Sequence, residues 1–115
     1  MLPTRDDIAA YCERIGYSGV LDPTLATLQA LQRAQTMHIP FENLDVMLRR
    51  PIHLTWDALM HKLVHGHRGG YCYEVNGLFA GILQRVGFTI TTLAARNLTT
   101  TEPLRPRTHM VVAVH

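Results

Sequence analysis

A chain of 115 residues, 47% hydrophobic and 17% charged, has the balance of a folded protein with room for one core rather than two. A net charge of +2, with the arginines scattered rather than striped, argues against a nucleic-acid partner. No apolar run reaches the roughly 18 residues of a membrane span, and the acidic opening around Asp6 and Asp7 does not read as a signal peptide. The expected location is cytoplasmic, with no membrane partner and with Cys12 and Cys72 as reduced thiols.

The first half reads as helices. Thr4 with Asp7 three residues on is a capping-box start, Ile8, Tyr11, Cys12 and Ile15 share one helical face, and Gly16 stops the helix. On that stripe Cys12 is read as a small core residue. Asp22-Pro23 predicts a second helix, with Asp22 as N-cap and Leu25, Leu28 and Leu31 as its buried stripe, ending before Pro40. The stretch Ile39 to Asp45 is an ordered connection, because proline disfavours helical geometry at Ile39. A third helix is predicted from Thr55 through Trp56, Leu59, Met60 and Leu63 to near Gly66. A fourth runs from Cys72 to Val86, with Leu78, Phe79, Ile82, Leu83 and Val86 inward and Gly87 as its stop.

Beyond Gly87 the pattern changes to that of strands. Phe88 to Arg96 is rich in Thr and Ile, and His109 to Val114 is apolar on both faces and so expected to be buried on both, with a loop between them. Two strands rarely make an independently stable sheet. The chain is therefore read as a fragment whose remaining sheet follows His115.

Chemistry concentrates in Arg68-Gly69-Gly70-Tyr71-Cys72-Tyr73-Glu74. Two glycines permit a tight loop, and a cysteine in the first helical turn sits where backbone amides favour thiolate over thiol. Arg68 adds a full positive charge. Gly-Gly-x-Cys alone is equally compatible with a buried structural thiol. His109 opens the apolar strand, where it is either a hydrogen-bonded edge residue or the base that a nucleophilic cysteine needs, as in papain-like enzymes. The acids after Cys72 are Glu74, too close to sit behind His109, and Glu102, in the loop, so the acid that orients the imidazole is expected outside the chain. His61, His65 and His67 lack a completing ligand at a usual spacing, and no metal is expected.

Taken in order and spacing, Ile39-Pro40-Phe41-Glu42-Asn43-Leu44, the Arg68–Glu74 motif, Asn76, Leu78-Phe79, Gly87-Phe88 and Thr108-His109 resemble the arylamine N-acetyltransferases, as does Arg14 to Gly19. The resemblance implies an α+β fold of papain-like arrangement. Residues 1–87 would form an N-terminal helical bundle carrying the cysteine, and 88–115 the first strands of a truncated β-barrel. It implies Cys72 as the acetylated nucleophile, His109 as its base, and Phe41 and Thr108 lining the acceptor pocket. The reaction implied is ping-pong transfer from acetyl-CoA, a co-substrate with no tightly bound cofactor beside it, to an arylamine, hydrazine or N-hydroxyarylamine. Gln35 departs from the histidine found in many members, at a packing position. Arg68 is expected to pair with Glu42 or Asp45 and so support the glycine loop. Two rival readings are a papain- or transglutaminase-like cysteine hydrolase and a non-catalytic helical fragment without its triad acid.

Overall fold

Helix α1, Arg5–Ile15, starts where the local chemistry of Thr4 and Asp7 dictates. The Thr4 hydroxyl accepts from the Asp7 N–H at 3.1 Å, and the Asp7 carboxylate accepts from the Thr4 N–H at 3.0 Å. Gly16, at a φ of 69°, ends the helix in the left-handed conformation that glycine adopts without a Cβ clash. The computed structural model describes residues 3–95 and 109–115.

Helix α2, Leu25–His38, begins two residues later than the Asp22-Pro23 signal predicts. Thr24 is the N-cap, and Asp22 instead accepts hydrogen bonds from the hydroxyls of Thr24 and Thr27. The buried face of α2 is accordingly Thr27, Leu31 and Gln35, and Leu25 is left 69% exposed rather than buried. A single turn, α3 (Leu44–Met47), begins within the stretch Ile39–Asp45 that the sequence predicts as a connection. Helix α4, Trp56–Leu59, capped by Thr55, widens into a π-helical stretch over Met60–His65. Arg14 reaches into that stretch, its Nε donating to the Leu63 carbonyl at 2.8 Å and its Nη1 to the His38 carbonyl at the end of α2 at 2.6 Å. One guanidinium thus serves the carbonyls of two helices that have run out of backbone donors.

Helix α5, Cys72–Val86, runs through the centre of the core. Leu78, Ile82 and Leu83 are fully buried against Tyr11 and Ile15 of α1, Leu31 of α2 and Leu63 of the π stretch. Cys12 is only partly buried at the edge of this cluster, and burial pushes its thiol pKa up. The Asp7 carboxylate also accepts the Trp56 indole N–H at 2.9 Å, tying α1 to α4. Its pKa is lowered by the Thr4 N–H and by that indole.

Strands β1 (Ile90–Ala95) and β2 (His109–Val114) form an antiparallel pair running from Ile90 opposite Val114 to Ala95 opposite His109. Ile90, Val112 and Val114 pack against the helical core. Met110 to Val114 of β2 are half-buried, not buried on both faces as the apolar sequence predicts, with Val112 and Val114 packed against the helical core. No helix among the described residues is long and apolar enough to cross a membrane.

Candidate active site

The glycine loop is shaped by how closely two backbones approach. Phe41 and Gly70 form a parallel bridge, in which the Glu42 N–H donates to the Gly70 carbonyl at 2.9 Å and the Gly70 N–H to the Pro40 carbonyl at 3.2 Å. A Cβ on Gly69 would lie 2.0 Å from the Pro40 oxygen, and one on Gly70 would lie 2.7 Å from the Glu74 Cβ. Both glycines are therefore fixed by steric exclusion, since neither has a positive φ.

Immediately after this bridge, Cys72 occupies the first position of α5 and is 4% exposed. Neither Cys72 nor Cys12 is in a disulfide. The Tyr71 N–H, one of the donors a helix start leaves without an intrahelical partner, is taken by Glu74 Oε1 at 3.1 Å. Burial, followed by the charges of Cys72 and Glu74, pushes the Tyr71 hydroxyl pKa up.

Around the loop lies a chain of alternating charges. Arg68 donates from Nη2 to Glu42 at 3.0 Å and from Nη1 to Asp45 at 3.0 Å. Asp45 in turn accepts from Lys62 Nζ at 2.8 Å, and the same ammonium meets Glu74 Oε2 at 2.6 Å. Hydrogen bonds from Lys62 and then Arg68 hold the Asp45 carboxyl below its usual range. Burial alone would lower the Lys62 pKa, but the Asp45 and Glu74 carboxylates outweigh it and raise it.

His109 opens β2 and is exposed. Asn76, one turn along α5 from Cys72, donates from Nδ2 to the carbonyl of Met110 at 2.6 Å. The start of the cysteine's helix and the start of the histidine's strand are thereby joined by one amide. On the same face of α5, Val75, Asn76 and Phe79 line a cavity of about 220 Å³ with Ile39, Phe41 and Gln35. Gln35 is held from both ends: its Oε1 accepts from the buried Tyr11 hydroxyl at 2.6 Å and its Nε2 donates to the Val75 carbonyl at 3.1 Å.

Of the residues singled out in the sequence, the structure brings Arg68, Glu42 and Asp45 into direct contact and places Phe41, 66% exposed, beside the glycine loop. Thr108 and Glu102 lie outside the described residues. Lys62 carries no local signal, since its partners are 12 and 17 positions away, and sequence reasoning misses it. Asn76 belongs to the recognised motif, but its bond to β2 becomes visible only in three dimensions. His61, His65 and His67 are exposed, and among the described residues no group of three His, Cys, Asp or Glu side chains is placed to hold a metal.

Comparison with known proteins then places the molecule. A family model described as N-acetyltransferase matches residues 24–115. The chain is 45% identical over 112 residues to the arylamine N-acetyltransferase of Mycobacterium tuberculosis, covering 94% of this chain and 40% of that protein. It superposes on the crystal structure of Nocardia farcinica arylamine N-acetyltransferase with a TM-score of 0.89 at 49% identity, over 95% of this chain and 38% of that one. It superposes on Mycobacterium marinum arylamine N-acetyltransferase, solved in complex with CoA, with a TM-score of 0.89 at 43% identity, over 94% and 41% of the two chains. The chain belongs to the arylamine N-acetyltransferase family, an acyltransferase family. It spans about 40% of the length of the curated relatives it matches.

Proposed function

We propose that this chain carries the acyl-accepting cysteine of an acetyl-CoA:arylamine acetyltransferase. The observation that carries the reading is Cys72 at the first position of α5, followed one turn later by the Asn76 amide on the strand that His109 opens. A thiol there faces helix-terminal amides that stabilise its anion. In the first half-reaction the Cys72 thiolate attacks the carbonyl carbon of acetyl-CoA. The carbon–sulfur bond to CoA breaks, and the departing CoA thiolate takes a proton from the His109 imidazolium. In the second, an arylamine, hydrazine or N-hydroxyarylamine attacks the Cys72 thioester and gives its proton to His109, and the thiolate is regenerated.

Acetyl-CoA is a co-substrate in this scheme and no tightly bound cofactor takes part. The CoA complex of the M. marinum relative supports that choice. Phe41, which lines the 220 Å³ cavity, would line the acceptor pocket. That volume suits one substituted ring, since dry cavities of about 150 Å³ take benzene. Arg68, Glu42 and Asp45 would hold the loop that sets Cys72. Glu74 is committed to Lys62 and the Tyr71 N–H, so in this proposal it is not the carboxylate that orients the imidazole. It likewise divides a papain-like arrangement into a helical part, 1–87, and the start of a β-barrel, 88–115, in a cytoplasmic protein.

The test is to supply acetyl-CoA with and without an aromatic amine and to measure both acetylated amine and free CoA. A transferase releases CoA in step with acetylated amine. Free CoA and acetate formed at the same rate without amine would favour a cysteine hydrolase instead.

A further inference from the structure

We infer that Lys62 is a positioning residue for Cys72, acting through Glu74 to hold the first turn of α5 and to balance the negative charge there. The inference rests on the reading of Cys72 as a nucleophile and adds a residue from a different element to the apparatus around it. Lys62 Nζ lies 2.6 Å from Glu74 Oε2 and 2.8 Å from Asp45 Oδ2, with its side chain 16% exposed and that of Glu74 3% exposed. The other Glu74 oxygen accepts the N–H of Tyr71, the residue before Cys72. A relay therefore runs from the π-helical stretch, through one ammonium and one carboxylate, to the N–H of the residue that precedes the thiol.

The charge balance explains why the ammonium matters. The groups surrounding this turn are Glu74 and Tyr71 at the start of α5, Glu42 from the α2–α3 connection, Asp45 from α3 with Arg50 3.8 Å from it, Arg68 from the glycine loop and Lys62 from the π stretch. Arg68 is engaged by Glu42 and Asp45, and Lys62 is the cation that meets Glu74. A carboxylate in the first turn without that partner would oppose a thiolate two residues away, cancelling part of what the helix start provides. Lys62 lies in the π-helical stretch Met60–His65 and from there meets Asp45 of α3 and Glu74 of α5.

The experiment follows the rate of Cys72 alkylation by iodoacetamide against pH, with Cys12→Ala as background, and needs no acetyl transfer. Lys62→Met is expected to raise the midpoint of that profile by roughly half to one pH unit, Lys62→Arg to restore most of it, and Lys62→Met with Glu74→Gln to bring it back towards the parent. Should Lys62→Met fail to fold by circular dichroism, Glu74→Gln alone is expected to leave the midpoint level or lower it. A Lys62→Met midpoint within 0.2 unit of the parent, or a Glu74→Gln midpoint that rises, would overturn the inference. A parent protein whose Cys72 resists alkylation up to about pH 9 would instead sink the nucleophile reading itself, and this inference with it.

Discussion

The two ends of α5 live in different physical worlds. From Leu78 to Leu83 the helix is packed in a dry apolar cluster, where its partners are Tyr11, Ile15, Leu31 and Leu63. Its first turn is surrounded by carboxylates, an ammonium and a guanidinium. The apolar end holds the fold by burial, a term that is non-directional and tolerates some repacking. The polar end relies on distances of 2.6–3.0 Å between named atoms, which fix orientation more than they add stability. The cysteine at the start of this helix gains a fixed helix from the apolar region and a defined electrostatic setting from the polar one.

The sharpest way to break the apolar end is Leu78→Ala. Leu78 is fully buried, and the substitution should cost about 2–5 kcal/mol, because the cavity adds to the lost transfer energy. Urea unfolding followed by the fluorescence of Trp56, the one tryptophan, measures it. At the polar end the largest effect should come from Gly69→Ala, whose new Cβ would start 2.0 Å from the Pro40 oxygen. Forcing the Phe41–Gly70 bridge apart should cost about 1–3 kcal/mol in the same unfolding experiment, and should also slow Cys72 alkylation, which Leu78→Ala should not do at temperatures where it remains folded.

Of the two ends of α5, acid should act on the polar one, while the lowered carboxyls of Asp7 and Asp22 add to the acid response elsewhere in the fold. Asp45 has a folded-state pKa below the ordinary value of 3.8, so the unfolded chain takes up this proton first as pH falls. Its contribution is complete above about pH 5 and is lost as pH drops below that through the folded-state value. Melting temperature should therefore fall by a few degrees more in the parent than in Asp45→Asn between pH 5 and pH 3. Equal slopes would remove the carboxylate from the list of acid-sensitive groups.

Where the sequence speaks locally it is readable. The capping pair Thr4–Asp7, the stop at Gly16 and both limits of α5 depend on residues within a turn of one another, and each lies where local chemistry puts it. The start of α2 is less legible because Thr24 competes with Asp22 for the same cap, and Asp22 ends as an acceptor for two threonine hydroxyls. The Leu25–Leu28–Leu31 stripe fails at Leu25 for a similar reason: which face of α2 is buried is decided by Tyr11 and Val75 gripping Gln35 from other helices. The motif around Cys72 announces itself, and so does the Arg68 charge. The ammonium that completes the site does not, because its partners Asp45 and Glu74 lie 17 and 12 positions from Lys62 in the sequence. The smallest expected effect checks this reading of α2: Leu25→Ser should change stability by no more than about 0.5 kcal/mol, since the side chain is 69% exposed.

Whether Cys72 forms a covalent acyl intermediate is tested most directly by intact mass spectrometry after brief exposure to acetyl-CoA without acceptor. One acetyl group should appear on the parent protein, map to the peptide containing Cys72, disappear on adding an aromatic amine, and be absent from Cys72→Ala. Acetylation that persists in Cys72→Ala, or a parent that stays unmodified while consuming acetyl-CoA, would contradict such an intermediate.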